Sequence, residues 1–282
     1  MHNETDENSI PSVKCVTGML NEETFLEEIY RLKKKRLEAA KASRDFEELK
    51  ENAFGIRESS FPHRFREMLA RDQINIIAEI KRASPSKGVI NDTIDVAETA
   101  LAYEKGGAVA ISVLTEEDRF KGSLDDLRTV RQAVNLPVLR KDFIFDEFQI
   151  YEAAEAGAEI ILLIAAMLDD EKLQTLHTLA ENELGLDALV EVHTLEELES
   201  VKKIGAKIIG VNNRDLHSFR VSLDVSRELI RHAPAGALMI TESGLRTRED
   251  LLELKNLGYS GFLIGETLMR SGNPSEMLKS MQ

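Results

Sequence analysis

Short apolar runs along the chain end again and again in charged or amide side chains. The run INIIAEIK carries Glu79 and Lys81, two residues apart and so on one face of an extended strand, and RASPSKG with Ser84 follows it. Lys141 and Asp142 follow PVLR, Glu191 and His193 close DALVEVH, and Asn212, Asn213 and Arg214 follow IIGV. Glu242 and Ser243 close ALMITES, while Gly265 and Glu266 follow GFLI. Lysines set among glutamates and partly removed from water acquire shifted proton affinities, which general acid and base work requires. An unpaired charge in such a place costs several kcal/mol. Lys81, Lys141, Glu79, Glu191, Glu242 and Arg214 brought together there therefore point to function rather than to stability. In TESG and IGE, Gly244 and Gly265 lack a Cβ, so backbone N–H groups beside them can approach a phosphate closely.

These residues need a scaffold that gathers strand ends at one face. After Gln73 eight β-rich apolar runs appear: INIIAEIK, AVAISVLT, PVLRKDF, EIILLIAA, DALVEVH, IIGVNN, ALMITES and GFLIGET. Helical segments with capping signals separate them, such as Thr194-Leu-Glu-Glu197 and Thr247-Arg-Glu-Asp250. Strict strand–helix alternation means a parallel sheet, and eight units allow it to close into a (βα)8 TIM barrel, whose strands end at the active-site face. Gly107, Gly157, Gly205 and Gly258 recur about every 50 residues, the length of two such units, each before an even-numbered strand. They read as helix ends in the left-handed conformation. An open doubly wound sheet is the alternative, but no Gly-rich dinucleotide fingerprint follows the first strand.

Ahead of the barrel, Phe25, Ile29, Leu32 and Leu37 have helical spacing, which can continue through Phe46, Leu49 and Phe54. The run RLKKKR reads as a solvated face. Residues 1–20 are polar and aperiodic and read as a flexible tail; residues 21–282 are expected to form one domain that includes an N-terminal helical extension over 24–70. A length of 282 residues and 43% hydrophobic content suffice for one large core. A net charge of −14 disfavours nucleic acid as a partner. The single Cys15 allows no internal disulfide and no cysteine metal cluster, and the six histidines show no paired-ligand spacing, so no metal is assigned. With no apolar run near the roughly 20 residues of a membrane span and no signal-peptide pattern in MHNETDENSI, a cytoplasmic protein is expected.

The stretch IIAEIKRASPSKGVI closely resembles the signature of indole-3-glycerol phosphate synthase. The likeness continues in order through LTEEDRFKGS, PVLRKDFI, ALVEVHTLEEL, IIGVNNRDL, ITESGL and FLIGETLM, over residues 24–272. It implies a TIM barrel with an N-terminal helical segment over the mouth and no metal or organic cofactor. It also implies conversion of a small phosphorylated substrate, 1-(2-carboxyphenylamino)-1-deoxyribulose 5-phosphate, into indole-3-glycerol phosphate with loss of carbon dioxide and water in tryptophan biosynthesis. By resemblance Glu79, Lys81, Lys141, Glu191, Asn212 and Ser243 occupy the family's catalytic positions, and Ser84, Arg214, Glu242, Gly244 and Gly265 its binding or supporting ones. Lys141 is then the general acid and Glu191 the base, with Glu79 a second candidate base. Lys81 either neutralises a substrate anion or serves as a second acid. Two positions depart from some relatives, Ala83 where a basic residue can stand and Glu266 where a serine can stand. A carboxylate at Glu266 would repel a phosphate, so only its backbone N–H can help there.

Other readings stay open at this level. A lysine at a strand end can attack a sugar-phosphate ketone as in a Schiff-base aldolase, and a barrel of this kind can bind a phosphate without catalysis. His193 is either a general base or a structural histidine. Phe120, Phe143 and Phe145 either line a pocket for an aromatic ring or cover the barrel rim. Oligomeric state is not readable.

Overall fold

The computed structural model describes residues 23–282, so the expected tail and Cys15 lie outside the described residues. Eight parallel strands form a closed barrel. They are β1 (Ile76–Ile80), β2 (Ala110–Leu114), β3 (Val138–Lys141), β4 (Ile160–Ile164), β5 (Asp187–Val192), β6 (Ile208–Asn212), β7 (Leu238–Glu242) and β8 (Gly261–Ile264). All eight runs picked out by composition are these strands. β1 closes the ring by pairing with β8, Ala78 opposite Ile264.

Register brings the functional ends to one level. Leu114 stands opposite Lys141, Ile164 opposite Glu191, and Asn212 opposite Glu242. Strand residues are buried on both faces because side chains fill the barrel on one side and helices cover the other. The surrounding helices are α4 (Val96–Lys105), α5 (Leu124–Ala133), α6 (Glu147–Glu155), α7 (Asp170–Thr178), α8 (Leu195–Lys203), α9 (Asp224–Leu229), α10 (Arg248–Leu257), α11 (Glu266–Met269) and α12 (Pro274–Met281), after α1–α3 described below. Gly107, Gly157, Gly205 and Gly258 all have positive φ, between 69° and 118°, where a side chain would be strained. Thr247 and Asp250 form the full reciprocal cap of α10. At α8 only half of that motif exists: Thr194 accepts from the Glu197 N–H, but the Glu197 side chain accepts from the His193 N–H instead of that of Thr194.

The N-terminal extension consists of α1 (Phe25–Ser43), α2 (Phe46–Glu58) and α3 (Arg64–Leu69), not one continued helix. Arg44 is extended and Asp45 accepts from the N–H groups of Glu47 and Glu48, so an N-cap stops the helical spacing there and starts a new helix. Only α1 covers the mouth: Phe25 meets Phe143 and Phe219 with ring centroids 6.1 and 5.4 Å apart. α2 runs down the outside against α6, Phe46 stacking on Phe148. α3 closes the opposite end, where Phe65 and Leu69 are buried and Arg66 Nε lies 2.7 Å from Asp187 at the start of β5.

The run RLKKKR is not wholly solvated. Lys33 is 5% exposed, and its ammonium sits 2.9 Å from Asp142 just past β3. Helical spacing puts Lys33 on the same face as Ile29 and Leu37, and that face turns toward the barrel. A buried carboxylate waiting there makes burial of the lysine tolerable.

Candidate active site

The strand ends open into a cavity of about 820 Å³. All eleven residues assigned by resemblance line it, Gly244 and Gly265 necessarily through backbone. At the floor Lys141 Nζ lies 3.0 Å from Glu191 Oε2 and 3.2 Å from Glu242 Oε2. Beside it Lys81 Nζ is 2.7 Å from Glu79 Oε1. All three glutamates are at most 5% exposed.

Burial and charge pull these groups apart in proton affinity. Burial alone would discharge Lys141, but Glu191, Glu242 and Glu79 hold its ammonium well above the usual lysine range. Burial likewise works against an ionised Glu191, yet Lys141 and His193 bring it down to about 2. Glu242 goes the other way: burial, with Glu191 and Glu79 adding to it and Lys141 opposing, pushes it up to about 7. The floor thus holds a cation that stays charged, a carboxylate that stays ionised, and a carboxyl poised near neutrality.

Local geometry explains why particular residue types stand here. A Cβ on Gly265 would fall 2.3 Å from Glu79 Oε1 and 3.0 Å from Lys81 Nζ. Its φ is −118°, so the requirement is space for the Glu79–Lys81 pair and not an unusual backbone. Gly210 within β6 does the same for Glu242, whose Oε1 would lie 2.3 Å from an added Cβ. Ser243 and Gly244 both have positive φ, 68° and 85°. Asn213 holds that bend: its buried Nδ2 donates to Thr241 Oγ1, to the Glu242 carbonyl and to the Ser243 carbonyl at 2.9, 2.9 and 3.1 Å.

Asn212 accepts from the Arg214 N–H at 3.0 Å and hydrogen-bonds Glu191. Arg214 spans the opening to donate to Ser86 Oγ at 3.0 Å. Ser84 belongs to a short antiparallel pair, Ala83–Ser84 with Gly88–Val89, that folds the first loop over the mouth.

A sequence model of the indole-3-glycerol phosphate synthase family matches residues 26–281. The chain belongs to this family. The synthase of Carboxydothermus hydrogenoformans is 45% identical over 263 residues, covering 90% of this chain and 98% of that one. That of Aquifex aeolicus is 47% identical over 260 residues, covering 91% and 98%. Among solved structures, 3-hexulose-6-phosphate synthase from Salmonella typhimurium superposes with a TM-score of 0.59 at 14% identity, over 74% of this chain and 96% of that one. Thiamine phosphate pyrophosphorylase from Pyrococcus furiosus gives 0.55 at 16%, over 74% and 93%. At such identities these two show the shared barrel fold alone.

Within this member of the synthase family the aromatic candidates divide. Phe120 and Phe143 line the cavity, 6.2 Å apart, and Phe25 from α1 joins them. Phe145 packs on Tyr30 of α1 at 4.6 Å and covers the rim. Asp142, next to Lys141, is taken up in a buried cluster with Lys33, Arg140 at 3.1 Å and Thr115 Oγ1 at 2.7 Å. Burial opposes its ionisation, but Lys33 and Arg140 hold its carboxyl well below the usual range.

His193 does not reach the cavity; its ring lies between Glu191 and Glu197. Glu266 pairs with Arg270 at 3.2 Å on the cavity wall, where Arg246 also lies. Sequence reasoning missed Phe25, Gly210, Arg246 and Arg270. Only Gly210 carried a local signal, a glycine inside a run that is otherwise β-branched.

Proposed function

We propose that this chain closes the indole ring of 1-(2-carboxyphenylamino)-1-deoxyribulose 5-phosphate, a carboxy-lyase reaction that releases carbon dioxide and water. The observation that carries the reading is Lys141, an ammonium on the floor of a cavity between Glu191 and Glu242. In the first step the aryl carbon that bears the carboxylate bonds to the ketone carbon, and the ketone oxygen takes a proton from Lys141. Carbon dioxide then leaves, returning its electron pair to the benzene ring and restoring aromaticity. In the last step the new hydroxyl departs as water with a proton from an acid, Glu191 removes the proton on nitrogen, and a hydrogen shift within the five-membered ring completes the indole.

Lys81, held by Glu79, faces the substrate as a second cation and is available to either a carboxylate or a phosphate. Asn212 and Ser243 orient hydroxyl groups, and Ser84 and Arg214 close the first and sixth loops over them. Backbone N–H groups beside Gly244 and Gly265 take the phosphate, a use to which the ends of the last two barrel strands are well suited. Phe120 and Phe143 give the aryl ring an apolar wall. Glu242, near neutrality, supports Lys141 without competing fully for its proton.

A Schiff-base aldolase would need a neutral amine, which the carboxylates around Lys141 disfavour. Purified protein mixed with the anilino-deoxyribulose phosphate should develop the ultraviolet absorption of an indole with equimolar carbon dioxide. Substrate consumed without indole, or trapped on a lysine by borohydride, would replace this reading with the aldolase.

A further inference from the structure

The proposed reaction gives His193 no direct task, yet its surroundings are built. The side chain is 12% exposed at the end of β5, outside the cavity. Its Nε2 lies 3.4 Å from Glu191 Oε1, and its Nδ1 lies 3.4 Å from Glu197 Oε2. The same Glu197 oxygen accepts the His193 backbone N–H at 2.6 Å, so one carboxylate anchors both ring and main chain. Glu197 is itself fixed in the first turn of α8, its N–H donated to the capping Thr194. This explains why the reciprocal cap of α8 is left half made: its carboxylate is spent on His193.

Glu191 is consequently approached from two sides. Lys141 bonds Oε2, and the imidazole stands by Oε1. That contact has the distance of an ion pair and not the geometry of a hydrogen bond. Among the described residues the buried Nε2 has no hydrogen-bond partner, so Glu191 is the neighbour that accounts for it. The charged groups that face the ring are Glu191 of β5, Glu197 of α8 and Glu242 of β7, all acidic. Burial favours the neutral ring, but these carboxylates outweigh it and raise the imidazole above its ordinary value.

We infer that His193 is a positioning residue for the proposed base: clamped by Glu197, its ring holds Oε1 of Glu191 and fixes the orientation in which that carboxylate receives the substrate proton. This rests on the assignment of Glu191 as base. A carboxylate held at one oxygen only can swing about its last bonds, and a misplacement of about 1 Å at a reacting group costs up to 10²-fold in rate. Because the anchor is second to Lys141, the expected loss is smaller.

The test compares kcat, KM and the pH profile of kcat for wild type, His193→Leu, His193→Gln, Glu197→Gln and Glu191→Gln, with thermal unfolding recorded for each. His193→Leu should lower kcat about tenfold with KM within about twofold. Its acid limb should move up by about one pH unit, because Glu191 loses a cationic neighbour that helps keep it ionised. His193→Gln, whose Nε2 keeps a donor at the place of the imidazole Nε2 but carries no charge, should recover most of kcat and retain the shifted limb. Glu197→Gln should shift kcat and the limb in the same direction as His193→Leu, by less. Wild-type kcat and an unmoved limb in folded His193→Leu, with Glu191→Gln inactive, would overturn this inference alone. Full activity in Glu191→Gln would remove the base assignment and this inference with it. If His193→Leu proves unstable, the profile of His193→Gln decides: an unmoved limb there also overturns the inference.

Discussion

Replacing Lys141 by methionine removes one ammonium and keeps the length of the side chain, and its consequences can be worked from the floor of the cavity. Glu191 and Glu242, 3.0 and 3.2 Å from that ammonium, would then face each other without a cation between them. Loss of the acid should lower kcat by about 10²–10⁴-fold, or about 3–5 kcal/mol of barrier, with substrate still binding. Stability should change too, and with a definite sign. Breaking a buried ion pair costs about 3–5 kcal/mol if the stranded charges stay ionised. Glu242 already sits near 7, so the variant escapes part of that cost by binding a proton. A native carboxyl raised above its unfolded value binds more protons than the unfolded chain between the two values, so stability falls as pH rises through that window. Wild-type Glu242 also holds its proton below about 7, so the extra proton of the variant lies on Glu242 above that value and on Glu191, which Lys141 keeps at about 2 in the wild type, below it. The deficit relative to wild type should therefore shrink as pH falls from 9 to 5, by up to about 1.4 kcal/mol per pH unit for each extra proton bound. Urea unfolding at the two pH values measures this, and indole absorbance measures turnover. Turnover within twofold of wild type would refute the role of Lys141; a stability deficit independent of pH would refute the account of the three carboxylates.

Gly265→Val should raise KM, lower kcat and weaken competitive inhibition by inorganic phosphate, because its side chain must displace the Glu79–Lys81 pair. Gly157→Val, at φ +89° and 2.7 Å from Arg131 Cγ, should lower the melting temperature and leave KM unchanged. The opposite partition of effects would mean that Gly265 is a capping glycine only. Lys33→Met should cost about 1–3 kcal/mol in urea unfolding, less than a lone buried pair because Arg140 and Thr115 remain on Asp142; no measurable loss would show that α1 is held by its apolar face. Prolonged dialysis against EDTA should leave the rate unchanged, since Lys141 supplies the cation that polarises the ketone; a loss restored by zinc or magnesium would reverse that.

Much of the molecule follows from local order in the sequence. Apolar runs of strand length alternating with capped amphipathic stretches determine eight strand–helix units, and the glycines before the even strands mark where helices must end. The same order identifies the residues that matter, since a polar group at the end of a buried strand can be seen one strand at a time. What sequence order could not decide was which of these groups touch. Glu191 and Glu242 both lie on Lys141, although they stand 50 and 101 positions further along the chain, because the register of a closed barrel sets the ends of β3, β5 and β7 at one height. Both carboxyls share that lysine, and the further help Glu191 receives from His193 and Asn212 separates it, at about 2, from Glu242 near neutrality. The folded chain likewise decided that Lys33 is buried, that Phe145 belongs to the rim, and that Gly265 and Gly210 make room for glutamates. Periodicity reports which face of an element turns inward; what waits on the other side of that face is set by residues far away in sequence, and so by tertiary structure alone.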